Sequence, residues 1–171
     1  RMEGKYFIKD TIDPLEKHEH IVFNFTDGSS LRYHDVRKFG TMDLRLLDQI
    51  YTSHPISKLG YEPYDEAMTV DYLSSKLKNK NRAIKTCLLD QTIMTGLGNI
   101  YVDEVLFLSN LHPERLANTL NDDDYKNIIK SATSVLNKAV ELGGTTIRSY
   151  TSSLGVTGRF QNELHVHMKK G

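Results

Sequence analysis

The residues with the clearest chemical potential lie in the stretch Gln91-Thr-Ile-Met-Thr-Gly-Leu-Gly-Asn-Ile-Tyr-Val-Asp-Glu-Val-Leu-Phe107. Their spacing predicts a helix end, a turn built on Gly96 and Gly98, and a new helix capped by Asn99, with Asp103 and Glu104 near its positive end. A Gly-rich turn that runs into a helix N-terminus leaves backbone N–H groups pointing outward at the positive end of the helix dipole, where a phosphate can sit. An ordinary helix–helix corner uses glycines in the same way, so the spacing leaves both readings open. Just upstream, Lys76, Lys78, Lys80, Arg82 and Lys85 crowd together. Such a run is either a solvated helix face or a track for phosphates, and its place beside a candidate anion seat favours the track.

The totals set bounds on this chemistry. A chain of 171 residues with 39% hydrophobic and 26% charged side chains is an ordinary globule with length for a real core. Its 22 basic and 22 acidic side chains cancel, which in sum speaks against a nucleic-acid partner. The acidic residues gather at Glu62–Glu66 and Asp122–Asp124, however, away from the basic run, and distribution matters more than the sum. No apolar run approaches the ~20 residues of a membrane helix, and no signal-peptide pattern opens the chain. The single cysteine, Cys87, excludes an internal disulfide and argues for a reducing, cytoplasmic setting. His18-x-His20 and His165-x-His167 have metal-ligand spacing, but neither pair has a third ligand at plausible local spacing, and no metal is expected.

The elements that must position these residues are mostly legible. Residues 5–9 read as a strand, and 20–33 alternate on both sides of Asp27-Gly28, a β-hairpin signal. Gly40 is expected to begin another short strand toward Leu47, so residues 1–50 read as antiparallel β. Residues 51–64, with His-Pro, Gly and Glu-Pro, read as a linker. Helical character begins near Asp65. Val70, Leu73 and Leu77 share one helical face, and Ile84, Leu88 and Leu89 continue in a second helix; residues 100–109 form a third. Asn121 opens the clearest helix, on which Tyr125, Ile128, Ile129, Ala132, Val135, Leu136, Ala139 and Val140 recur at helical steps, and Gly143-Gly144 ends it. Residues 145–158 are a Thr/Ser/Gly-rich loop, and Phe160 to Met168 resembles a strand with His165 and His167 on one face. Both chain ends look like strand text, so a piece of a longer protein is expected.

Four separated stretches, Arg1-Met-Glu-Gly, Asp35-Val-Arg-Lys-Phe-Gly40, Gly96-Leu-Gly-Asn-Ile-Tyr-Val-Asp-Glu104 and Gly143-Gly-Thr-Thr-Ile-Arg-Ser-Tyr150, together resemble one family, the bacterial formamidopyrimidine-DNA glycosylases. The resemblance implies an α+β fold: part of an antiparallel β-sandwich lobe over 1–50, the 51–64 linker, and a helix-two-turn-helix lobe over 65–144. A lesion-covering loop and a strand toward a zinc finger would occupy 145–171. It implies base-excision repair of oxidised purines in damaged double-stranded DNA, by glycosylase and abasic-site lyase chemistry through a Schiff base and β,δ-elimination. The family's nucleophile is the amine of an N-terminal Pro followed by Glu, assisted by a Lys on an early loop and an Arg in the finger. None of these positions falls in this sequence, so the 171 residues alone are expected to be inactive. With one cysteine there is no four-thiolate site, and the family's structural zinc is expected only in a longer parent, a cytoplasmic monomer with no membrane partner.

The resemblance also implies site residues. Met2, Arg37 and Phe39 fall where the family carries the wedge that fills the gap left by an extruded nucleotide. His18, Lys80, Gly98 and Asn99 fall where relatives touch phosphate. Glu3, Ile147, Arg148, Ser149 and Tyr150 fall around the lesion pocket. Two other readings stand beside this one: a non-catalytic helix-two-turn-helix module that only binds nucleic acid, and an endonuclease VIII-type glycosylase for oxidised pyrimidines. The latter takes its wedge from elsewhere, so Arg37 and Phe39 argue against it.

Overall fold

The computed structural model describes residues 4–145, 158–167 and 169. The chain forms two compact units: residues 1–44 with 143–161, and residues 45–142 with 162–171.

In the first unit, β1 (Lys5–Asp10), β2 (Glu19–Asn24) and β3 (Ser29–His34) form an antiparallel sheet with β3 in the centre. The β2–β3 hairpin turns at Asp27-Gly28, as its sequence predicts. Asp27 accepts from the Ser29 amide at 2.9 Å and its hydroxyl at 2.7 Å, and Gly28 takes φ +87°. Register places Tyr6 opposite Tyr33 and Ile8 opposite Leu31, with Ile21 and Phe23 opposite the same two residues from the other side. These six side chains share an apolar face. On the other face Arg32 is buried and fully engaged. Its guanidinium donates to the carbonyls of Asp10 (2.7 Å), Asp13 (2.8 Å) and Pro14 (3.0 Å), to Ser30 Oγ (3.0 Å) and to Glu19 (3.1 Å). One buried cation thereby fixes the β1–β2 connection, since an unpaired charge there would be costly. Residues 41–46, expected to be a strand, form no ladder; the chain continues to a 3-10 turn at Leu47–Gln49. Among the described residues the β lobe is one sheet layer.

In the second unit, α1 (Val70–Leu77), α2 (Ile84–Leu88), α3 (Asn99–Leu108) and α4 (Asp122–Glu141) enclose the main core. Leu73, Leu77, Ile84, Cys87, Leu88, Val102, Val105 and Ile128 are all fully buried. Each large aliphatic among them contributes about 1.5–3 kcal/mol by leaving water. Thr69, rather than Asp65, starts α1, its hydroxyl accepting from the Tyr72 amide at 3.1 Å. Asn121 caps α4 in a reciprocal box with Asp124, at 2.9 and 3.0 Å. Gly143 and Gly144, at φ +71° and +84°, end the helical path. Residues 160–167 do not make the expected strand. Phe160–Glu163 is a 3-10 turn, followed by bends whose amides are collected by a side chain of α3.

Candidate nucleic-acid interface

Between α2 and α3 the chain makes two turns. The first is closed by Asp90, which accepts from the Thr92 amide (3.1 Å) and hydroxyl (2.7 Å) while its carbonyl receives Ile93 N–H at 2.9 Å. The second is folded around the Gln91 side chain: Oε1 accepts from the Gly96 amide at 3.0 Å and Nε2 donates to the Leu97 carbonyl at 2.8 Å. Gly96 sits at φ +97°, so the turn requires glycine there. Leu97 drops into the core, while Gly98 and Asn99 are exposed.

Here the structure corrects one expectation. The cap of α3 is Gly98, extended at φ −106° and ψ −178° with no side-chain cap bond, and Asn99 is the first helical residue. Gln91 consumes the turn's own donors and acceptors, so the helix starts without needing a side-chain cap. Among the described residues, neither the Gly98 and Asn99 amides nor the Asn99 carboxamide has a hydrogen-bond partner. A Cβ at Gly98 would meet nothing within 4 Å. The result is an open set of donors at a helix N-terminus of ten residues.

The basic run is divided in its duties. Lys85 pairs with Asp103 at 2.7 Å, Arg82 approaches Asp90 at 3.9 Å, and the Lys76 ammonium lies 5.3 Å from the centre of the Tyr72 ring. Lys80, half-buried in the turn after α1, has no side-chain hydrogen bond or ion pair among the described residues. Its charge joins that of Arg82 in holding down the Asp90 carboxyl, whose largest stabilisation comes from Thr92. Lys80 is thus electrostatically coupled to the two-turn segment.

In the first unit, the loop after β3 is organised by Asp35, to which the sequence alone assigns no role. Asp35 is buried, and its carboxylate accepts from the amides of Arg37 and Gly40 and from the Tyr33 hydroxyl, each at 3.0 Å. The Gly40 amide foremost, with the Tyr33 hydroxyl and the Arg37 and Lys38 amides, outweighs burial and holds this carboxyl down at about 2. Lys38 takes φ +55°, which turns the loop back on itself. Gly40 must be small, because a Cβ would lie 1.9 Å from the Tyr33 hydroxyl oxygen. So tied, the loop exposes Arg37 and Phe39, the latter 53% accessible, with the guanidinium carbon 4.7 Å from the ring centre.

His18 is connected to the same loop, since its carbonyl receives the Asp35 amide at 3.0 Å. It sits at φ +75°, its ring edge-on to His34 (5.6 Å) and His20 (6.3 Å). Burial, with the charges of Lys17, His34, His20 and Lys38, keeps the His18 imidazole below its ordinary pKa. His20 Nε2 lies 2.9 Å from the Asp35 carbonyl oxygen, and among the described residues the buried His34 Nδ1 has no partner.

Glu104, expected to serve the helix dipole, does something else. It is 1% exposed and receives the amides of His165 (2.6 Å), Val166 (2.9 Å) and His167 (3.1 Å), with His165 Nδ1 at 3.2 Å. Burial opposes its charge and these donors outweigh the opposition, leaving its pKa below the ordinary carboxylate value. Nothing in the local pattern around residue 104 signals this role. Met2, Glu3, Ile147, Arg148, Ser149 and Tyr150 lie outside the described residues. Among the described residues no three potential metal ligands come together. Cys87 is buried with its thiol pKa pushed up by burial, so these residues do not fit a thiolate zinc site.

The fold is shared with known proteins. Residues 59–151 match the formamidopyrimidine-DNA glycosylase H2TH domain, and residues 1–42 match the formamidopyrimidine-DNA glycosylase N-terminal domain. The chain is 51% identical over 172 residues to a formamidopyrimidine-DNA glycosylase of an Exiguobacterium species, covering 100% of this chain and 62% of that protein. It is 50% identical over 170 residues to the Bacillus licheniformis protein of the same name, covering 99% and 62%. Among solved structures, a Lactococcus lactis FPG mutant in complex with a Fapy-dG containing DNA superposes with TM-score 0.86 at 43% identity, over 96% of this chain and 60% of that one. The Lactococcus lactis Fpg in complex with an abasic site containing DNA gives TM-score 0.85 at 44% identity, with the same coverage. The chain therefore spans about 62% of the length of the curated relatives it matches. With an N-terminal-domain match, a two-turn link between α2 and α3 and a fold shared with DNA-bound relatives, this chain belongs to the formamidopyrimidine-DNA glycosylase family.

Proposed function

We propose that this chain carries the duplex-gripping and stack-invading machinery of a base-excision repair enzyme for oxidised purines such as 8-oxoguanine and formamidopyrimidines. The observation that carries the reading is the exposed Arg37–Phe39 stack on a loop pinned by Asp35. Extruding a nucleotide loses a few kcal/mol of stacking and pairing, and something must occupy the gap. The Phe39 ring is flat enough to enter the stack, and the Arg37 guanidinium can hydrogen-bond the widowed partner base. Met2 is the third member of this wedge. The Gly98 and Asn99 donors, with Lys80 and His18, take the phosphates that supply most of the affinity. Glu3 and Ile147 to Tyr150 line the lesion pocket.

The relatives whose complexes contain Fapy-dG DNA or an abasic site support damaged duplex DNA as the partner. Glycosidic cleavage and lyase chemistry, through an N-terminal Pro–sugar Schiff base, belong to a protein of the relatives' full length, as does a finger-bound structural zinc. A cytoplasmic, nucleoid-associated monomer fits the reading.

The test is borohydride trapping on lesion-bearing duplex. The 171-residue chain should give no adduct, and a version extended to the relatives' full length should give one. In that longer protein Arg37→Ala should reduce excision more than it reduces binding to undamaged duplex. Equal losses in the two would remove the wedge role, and an adduct with the 171 residues alone would mean the nucleophile is misplaced.

A further inference from the structure

A second surface of the helical unit carries chemistry that duplex gripping does not use. The segment 51–61, α1 and Thr92 frame an open groove of about 650 Å³, lined principally by Tyr51, Lys58, Leu59, Tyr61, Tyr72 and Lys76. Among the described residues none of Gly96 to Asn99 lines it, nor does any carboxylate.

Its floor is an aromatic platform. The Tyr61 and Tyr72 rings lie 4.8 Å apart, and Tyr72 is anchored by its hydroxyl donating to the Ile93 carbonyl at 3.1 Å. Tyr61 is clamped through its backbone: the Thr95 amide donates to its carbonyl at 3.0 Å, and the preceding Gly60 amide donates to the Gln91 carbonyl at 2.8 Å. A Cβ at Gly60 would lie 2.5 Å from the Ile93 carbonyl oxygen, so the clamp tolerates no bulk. Despite this clamp Tyr61 is 42% exposed, and Tyr51 beside it in the groove is 80% exposed. The Lys76 ammonium is held over Tyr72, and Lys58 adds a second cation.

An anchored Tyr61–Tyr72 pair and an exposed Tyr51 beside two cations, with no anion among the described lining residues, complement a planar base attached to a phosphate. We propose that this groove binds a nucleotide in single-stranded form, its base stacked on Tyr61 and Tyr51 and its phosphate taken by Lys58 and Lys76. Strand outside the duplex and free mononucleotide share this chemistry, so the test uses both.

The 171-residue chain is titrated with thymidine 5′-monophosphate and with pentathymidylate while backbone amide shifts are followed by NMR. Saturable shifts centred on Lys58, Tyr61 and Tyr72 are expected. Tight binding of pentathymidylate alone points to a strand, and equal binding of both points to the free nucleotide. Lys58→Glu should weaken binding about tenfold or more by charge reversal, with melting temperature and abasic-duplex affinity unchanged. Tyr61→Ala should weaken it without altering the salt dependence. Asn99→Ala, which bears on the duplex reading, should leave it untouched, so the two readings fail separately. Shifts confined to Gly98–Tyr101, indifference to the lysine reversal, or no saturation by either probe would overturn the proposal. A groove that engages only a protein would give that last result.

Discussion

Two loops in this molecule present runs of backbone N–H groups and treat them in opposite ways. At 35–40 several donors are consumed internally: the buried Asp35 carboxylate collects the Arg37 and Gly40 amides and so ties the loop that carries the Arg37 and Phe39 side chains. At 96–99 the Gln91 carboxamide takes the Gly96 amide, and among the described residues the Gly98 and Asn99 amides have no acceptor. A loop tied by its own amides to a buried carboxylate can be a rigid holder for a wedge. A loop whose amides are unsatisfied and exposed can hold an anion. The Glu104 cluster, gathering three amides of the 165–167 bend, is a second filled case and shows that this chain uses carboxylates repeatedly for the purpose.

The contrast is broken most severely by emptying the filled loop. Asp35→Ala should release Arg37 and Phe39 from a single geometry and reduce discrimination between abasic-analogue and intact duplex by about 10²-fold, read by fluorescence anisotropy. The acid side of the stability curve should change as well. Asp35 has its folded-state pKa lowered from 3.8 to about 2. Its contribution is therefore fully present above the unfolded value and is lost as pH falls through that window. Asp35→Asn should flatten this limb of the curve, followed by thermal melts between pH 5 and 2; an unchanged limb would deny Asp35 its role.

Glu104→Ala tests the other filled cluster. Leaving three donors without their acceptor should cost about 1–3 kcal/mol in urea unfolding, with hydrogen exchange at residues 165–167 accelerated and Glu104→Gln intermediate. The open loop is sharpened by smaller changes. Asn99→Ala should weaken binding to all duplexes alike by about 1 kcal/mol, without the loss of helix stability that removing a cap would bring. Gly98→Ala is the finest test. Its Cβ meets nothing and φ is negative, so folding stability should stay within about 0.5 kcal/mol. Duplex affinity should nevertheless fall several-fold, because a methyl group then stands at the amide face. Equal affinity would mean that no phosphate approaches there.

How much of this was legible varied with the range of the interaction. Asp27-Gly28, the Asn121–Asp124 box and Gly143-Gly144 act on chain neighbours, so their patterns announced a hairpin, a helix start and a helix stop that the structure contains. The candidate interface was legible as residue types and family motif: an Arg and a Phe in one short stretch, a Gly-rich turn, a basic run. Their division of labour was not, because whether Lys85 is free or Lys80 is depends on where Asp103 lies in space.

By itself, then, the sequence determined the elements with local signals and the family motifs that carry the chemistry. The tertiary structure decided which acceptor claims each donor. Gln91 builds the turn before α3 and makes Gly98 its cap, displacing Asn99 into the first helical position. Glu104 bends residues 165–167, some 61 to 63 positions away, out of the strand their alternation suggested. Local propensity differences are a fraction of a kcal/mol per residue, and a buried carboxylate short of donors costs several times that, so the distant partner prevails.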